Sequence, residues 1–158
     1  MADFETTHDT FTIHKTYNCP PSRLYAAFSD PVLKQSWYAE SPTHETLEYD
    51  LNFERGGKEV LAVKMRPSTP IAGAKLRWTS EYGEIEPETR IVFHQNVELN
   101  GRCISCAVIS VEFLPSQSGC DLKLTHQAAF FEGSDGPEMR KMGWDLLLTN
   151  IEPIVLGS

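Results

Sequence analysis

At 158 residues, with 41% hydrophobic and 23% charged residues, the chain has the size and balance of one globular domain with a core of its own, spanning residues 1–158. A formal net charge of −8 argues against nucleic-acid binding, which would need a basic stripe. No apolar run approaches the roughly 20 residues of a membrane span, and the polar, acidic start lacks the basic and apolar regions of a signal peptide. A cytoplasmic address is therefore expected, with the four cysteines (Cys19, Cys103, Cys106, Cys120) held as thiols.

Phe11, Ile13, Lys15 and Tyr17 alternate with polar neighbours and predict a first strand. Pro20 and Pro21 end it and open a helix with Leu24, Ala27 and Phe28 on one face. Asp30-Pro31 caps a second short helix, in which Leu33 and Trp37 are expected to point inward together.

Strands follow in sequence. Leu47, Tyr49, Leu51 and Phe53 alternate with acidic and amide residues, and Arg55-Gly56-Gly57-Lys58 turns the chain back into Leu61, Val63 and Met65. After a proline-bearing loop, Leu76, Trp78, Ser80 and Tyr82 share a face. Glu86-Pro87-Glu88 turns into Ile91, Phe93 and Gln95, and Asn100-Gly101 is a strong hairpin signal. Ala107, Ile109, Val111 and Phe113, then Leu122, Leu124, His126, Ala128 and Phe130, complete seven strands. Short turns join nearly all of them, so the sheet is expected to be antiparallel.

The last segment, Pro137 to Leu156, predicts one long helix, kinked or frayed near Pro153. Its apolar residues form two adjacent stripes. Met139, Met142, Gly143, Leu146, Leu147, Asn150 and Ile154 trace one; Trp144, Leu148, Ile151 and Val155 trace the other. So wide an apolar arc suits a helix gripped by a curved sheet, with a cavity between them.

Several strings resemble the SRPBCC (START-like) superfamily, and within it the branch named after activators of the heat-shock chaperone ATPase, the AHSA-type domains. They are the stretch from Phe11 to Trp37, the hairpin Arg55-Gly56-Gly57, the strand pair Gly83 to Phe93, Leu122 to His126, and Gly143-Trp144 with Leu147. The likeness runs from about Phe11 to Ile154. It departs at Ser36-Trp37-Tyr38, where many relatives carry paired tryptophans. It implies an α+β helix-grip fold with an internal hydrophobic cavity.

Alternation sends Trp37, Tyr49, Trp78, Tyr82 and Phe93 inward as aromatic lining, and Met65 with them. The first stripe of the helix adds Met139, Met142, Gly143 and Leu146. His126 is the polar residue of most interest, because an inward imidazole must find a partner in the core or in a ligand. The expected function is non-catalytic binding of a small apolar or aromatic molecule, without metal or other cofactor. Two alternatives stand beside it: a partner of a chaperone ATPase, as the resemblance implies, and a cyclase- or dehydratase-type enzyme pairing His126 with Glu84 or Tyr82. Self-association through a sheet edge or a helix flank is open. Glu84 is either a buried acid in the register of Tyr82 or a residue at the sheet rim. Cys103 and Cys106 have zinc-knuckle spacing, but residues three apart in a strand point to opposite faces, so they read as structural thiols.

Overall fold

The computed structural model describes residues 5–156. The chain runs β1 (Thr7–Tyr17), α1 (Pro21–Ser29), α2 (Pro31–Lys34) and a π-helical turn (Gln35–Ala39). Six strands follow: β2 (His44–Leu51), β3 (Lys58–Met65), β4 (Lys75–Glu86), β5 (Arg90–Leu99), β6 (Arg102–Ser116) and β7 (Gly119–Phe130). The chain then ends in α3 (Gly136–Asn150) and α4 (Glu152–Leu156). This is the expected α+β order, with seven strands in one sheet ordered β1-β7-β6-β5-β4-β3-β2 and every pair antiparallel. From β2 to β7 the strands form a meander. β1 lies at the far edge against β7, so α1 and α2 carry the chain across to the opposite edge.

Local chemistry accounts for the elements. Pro21 stands at the start of α1, where its missing N–H has no helical partner to lose. The Asp30 carboxylate accepts from the Val32 amide at 2.9 Å and starts α2. Asn100 and Gly101 both take positive φ, 52° and 84°, the requirement of a tight turn that matches strand twist.

Cross-strand rows on the inner face build the core. One row reads Phe11, His126, Ile109, Phe93 and Tyr82; the next reads Ala128, Ala107, Gln95, Ser80 and Glu59. Three irregularities interrupt the register: between Thr46 and Glu48, between Tyr82 and Glu84, and in β6 opposite Val97 and Glu98.

The long terminal helix is interrupted at Ile151. Pro153 sits one residue inside α4, so the break precedes the proline, which needs no kink of its own there. The rotation of α3 corrects the expectation for its first stripe. Met139, Met142 and Leu146 are 64%, 71% and 64% exposed, and Gly143 is exposed with them; Trp144, Leu148, Ile151 and Val155 are buried in the core. Two apolar stripes compete for one inner position, and contacts from β1 decide between them. The Tyr17 hydroxyl donates to the Leu148 carbonyl at 2.6 Å, and Lys15 reaches Asp145 at 3.0 Å and Thr149 at 3.2 Å. Among the described residues no helix is long and apolar enough to cross a membrane.

Candidate functional site

The interior between sheet and helices holds two polar groups of residues in an otherwise apolar core. The first lies under the π turn. Lys34 and Glu59 are 3% and 1% exposed and pair at 2.9 Å. Tyr49 donates to the other Glu59 oxygen at 2.7 Å, and the Tyr82 hydroxyl lies 3.4 Å from Glu59 and 3.3 Å from the Lys34 ammonium. That ammonium also sits 4.5 Å from the centroid of the Tyr38 ring, with Phe93, Trp37 and Tyr82 rings within about 6 Å. Beside it, the Gln95 amide donates to both the Tyr38 hydroxyl and Ser80 at 3.1 Å. Burial, reinforced by the Glu59 charge, pushes the Tyr38, Tyr49 and Tyr82 hydroxyls well above the ordinary phenol range. All three therefore stay protonated, as the donation of Tyr49 and Tyr82 to Glu59 requires.

The second group lies beneath the start of α3. Arg140, 7% exposed, grips Asp135 through two bonds of 2.8 and 2.9 Å and donates to Ser105 at 2.9 Å. Burial, which alone would raise the Asp135 carboxyl, is outweighed by these Arg140 contacts, and its pKa falls below the usual range. The guanidinium lies 5.2 Å above the Phe130 ring. Phe130 is 6.1 Å from His126, and His126 stacks on Phe11 at 4.5 Å with planes 7° apart. Four planar groups thus form a column.

His126 is the anomaly of the interior. It is 0% exposed, and among the described residues neither ring nitrogen has a hydrogen-bond partner. Burial, aided by the Arg140 charge, lowers its pKa to about 4, so the ring is neutral at pH 7 with one N–H and one bare nitrogen unused. Between this column and Gln95 the floor of the sheet is Ala107 and Ala128, the two smallest side chains of their row. Tyr38, Gln95, Ser105, Arg140 and His126 therefore surround a patch of small side chains under α3.

The predicted lining divides accordingly. Trp37, Tyr82, Phe93 and His126 are buried, while Tyr49, Met65 and Trp78 are partly buried against the same core. Trp37 is committed to structure, since its indole donates to the Ala27 carbonyl at 2.8 Å. Met139, Met142, Gly143 and Leu146 face away from the site, for the reason given by the β1 anchors. Glu84 sits at the rim, where hydrogen bonds from Arg90 and Arg55 lower its pKa. The irregularity after Tyr82 takes Glu84 out of the inward register. Tyr82 and His126 share a row but stand three strands apart, roughly 14 Å at ordinary strand spacing, so neither Glu84 nor Tyr82 reaches His126 as an acid–base partner.

Sequence reasoning missed Lys34, Tyr38, Glu59, Ser105, Asp135 and Arg140. Glu59 was within reach, because it continues the inward register of Leu61 and Val63. Lys34 was passed over for its charge, yet it stands three and four residues before the buried Trp37 and Tyr38, on one helical face with them.

A family model described as "Activator of Hsp90 ATPase homolog 1-like protein" matches residues 18–155. The chain belongs to the AHSA1 family. The AHSA1 fold places the sheet, the two short helices and α3 as the site requires, and solved structures repeat it. An uncharacterised protein from Rhizobium leguminosarum is 25% identical over 99% of this chain and 100% of its own, with a TM-score of 0.90. The Mll3558 protein from Rhizobium loti is 30% identical over 94% and 97%, with a TM-score of 0.82. An AHSA1-like protein from Aeromonas hydrophila, at 19% identity over 94% and 93% with a TM-score of 0.70, is similar in fold. None of the curated proteins matches.

Proposed function

We propose that this AHSA1-family chain is a non-catalytic binding protein for a small, largely apolar or aromatic molecule carrying one hydroxyl-type group, received between the sheet and α3. The unpartnered imidazole of His126 carries this reading. A buried polar group without a partner costs about 1–3 kcal/mol, and such groups persist in folded proteins where a ligand or a function uses them. A neutral imidazole offers one donor and one acceptor, and a hydroxyl both donates and accepts, so a phenol or enol complements it. Phe11 and Phe130 supply flat apolar surface beside it, and Ala107 and Ala128 leave the floor low. Tyr38, Gln95, Ser105, Arg140 and His126 are all nearly out of water, so entry requires the N-terminal part of α3 to lift, parting Arg140 from Ser105.

Titration with 1-naphthol and with naphthalene, followed by quenching of tryptophan fluorescence, tests the reading. The hydroxylated probe is expected to bind at least about tenfold more tightly, corresponding to one net hydrogen bond. His126→Phe, which preserves the stack, is expected to abolish the preference. Equal affinities for the two probes, or a preference unchanged in His126→Phe, sink the proposal.

A further inference from the structure

The outer face of the sheet carries a pair of thiols that simple alternation conceals. β6 pairs with β5 as Cys106↔Asn96 and Ser105↔Val97, and then as Cys103↔Glu98, which leaves Ile104 as an extra residue. In a regular strand Cys103 and Cys106 would point to opposite faces. With the bulge, Ile104 and Ser105 both turn into the core, at 4% and 0% exposure, and the two cysteines become neighbours outside. Their sulfurs lie 3.9 Å apart. Cys106 is exposed and Cys103 half-buried, and neither is in a disulfide.

We propose that Cys103 and Cys106 form a two-thiolate site for a soft, thiophilic cation of the Cu(I), Zn(II) or Cd(II) class. Thiolate sulfur selects soft ions. An ion about 2.3 Å from each sulfur, the zinc–thiolate distance, would see sulfurs 3.9 Å apart at an angle of about 116°, between the tetrahedral and trigonal values.

The site is built for exchange. Among the described residues no third His, Cys, Asp or Glu completes a ligand set, whereas a structural zinc takes four. The remaining positions therefore belong to water, a small thiol or an incoming donor. Cys106 borders an open hollow of about 600 Å³ on the same face, also lined by His8, His94 and Asn96, which leaves room for such a co-ligand. A divalent ion displaces the two thiol protons to solvent as the two metal–sulfur bonds form, so charge and atoms balance without any oxidant.

The deciding experiment titrates the full chain, reduced and freed of reductant, with Cd(II) in the presence of a competing chelator. Thiolate-to-metal charge-transfer absorption and native mass spectrometry follow the binding. One Cd(II) per chain is expected, with affinity falling at least about 100-fold in both Cys103→Ser and Cys106→Ser as chelation by two linked ligands is lost. Both positions lie outside the core, and circular dichroism checks that the variants fold. Cys19 and Cys120 are buried elsewhere and serve as the internal control. An absorption that survives either substitution, or a wild-type chain that takes up no Cd(II) against the chelator, overturns the proposal.

Discussion

The Lys34 ammonium rests 2.9 Å from a Glu59 carboxylate oxygen with both side chains almost wholly out of water, and one helix turn and one strand are held together by that contact. Removing both charges from water is costly, and the pair is tolerated because Tyr49 and Tyr82 satisfy further Glu59 positions while Tyr38 covers the ammonium. Lys34→Met or Glu59→Leu alone strands an opposite charge in the core, and either is expected to destabilise the protein by about 3–5 kcal/mol. The double variant should recover much of that loss, because no charge is left unpaired. Urea unfolding of the four proteins checks this; additive losses would show that the two residues act separately.

His126 predicts a definite acid lability. Its folded pKa of about 4 lies below the ordinary histidine value near 6.5, so between those pH values the unfolded chain holds a proton that the folded chain refuses. Stability therefore falls as pH drops from about 6.5 through 4, by at most about 3 kcal/mol, and this contribution levels off below. Asp135, whose folded pKa is depressed, gives stability that is lost in a lower window, below about pH 4. In urea titrations from pH 7 to 4.5, His126→Phe should flatten the first decline; parallel curves would exclude His126 as its source.

The rotation of α3 is testable residue by residue. Trp144→Ala removes a buried ring and should cost about 3–5 kcal/mol, whereas Met142→Ser, on the exposed stripe, should change stability by less than about 0.5 kcal/mol. Equal losses at the two positions, read from urea midpoints, would mean that α3 is turned otherwise.

Tyr17→Phe isolates the anchor that sets this rotation. It deletes the 2.6 Å hydrogen bond to the Leu148 carbonyl while keeping the ring packed, for an expected loss of about 1–2 kcal/mol. Amide exchange should quicken around Leu148 at the end of α3 more than in β5. A uniform change along the chain would point to a general weakening instead.

Alternation and turn chemistry made the seven strands, their antiparallel order and the inward position of His126 legible. Lys34 was missed for its charge: it stands three and four residues before Trp37 and Tyr38, on their helical face, and is buried with them. The Cys103–Cys106 pair was missed because one extra residue in β6 brings the two side by side, and nothing in the local sequence marks that insertion. Arg140 was missed because the choice between the two stripes of α3 is made by Tyr17 and Lys15, more than a hundred positions away. A periodic pattern tells which residues share a face, but the partner decides which face is covered.

The placement of β1 sets the order in which the chain can fold. From β2 to β7 each strand pairs with the next in sequence, across short turns except for the loop between Met65 and Lys75, so that meander can assemble through local hairpins. β1 instead meets β7, from Tyr17 opposite Cys120 to Thr7 opposite Phe130, and its pairing closes a loop of roughly a hundred residues or more. Closure of that length is slow and gains nothing until β7 exists. β1 also carries Lys15 and Tyr17, which seat α3. The first strand of this sheet along the chain is therefore among the last to dock, and it brings the roof of the interior with it.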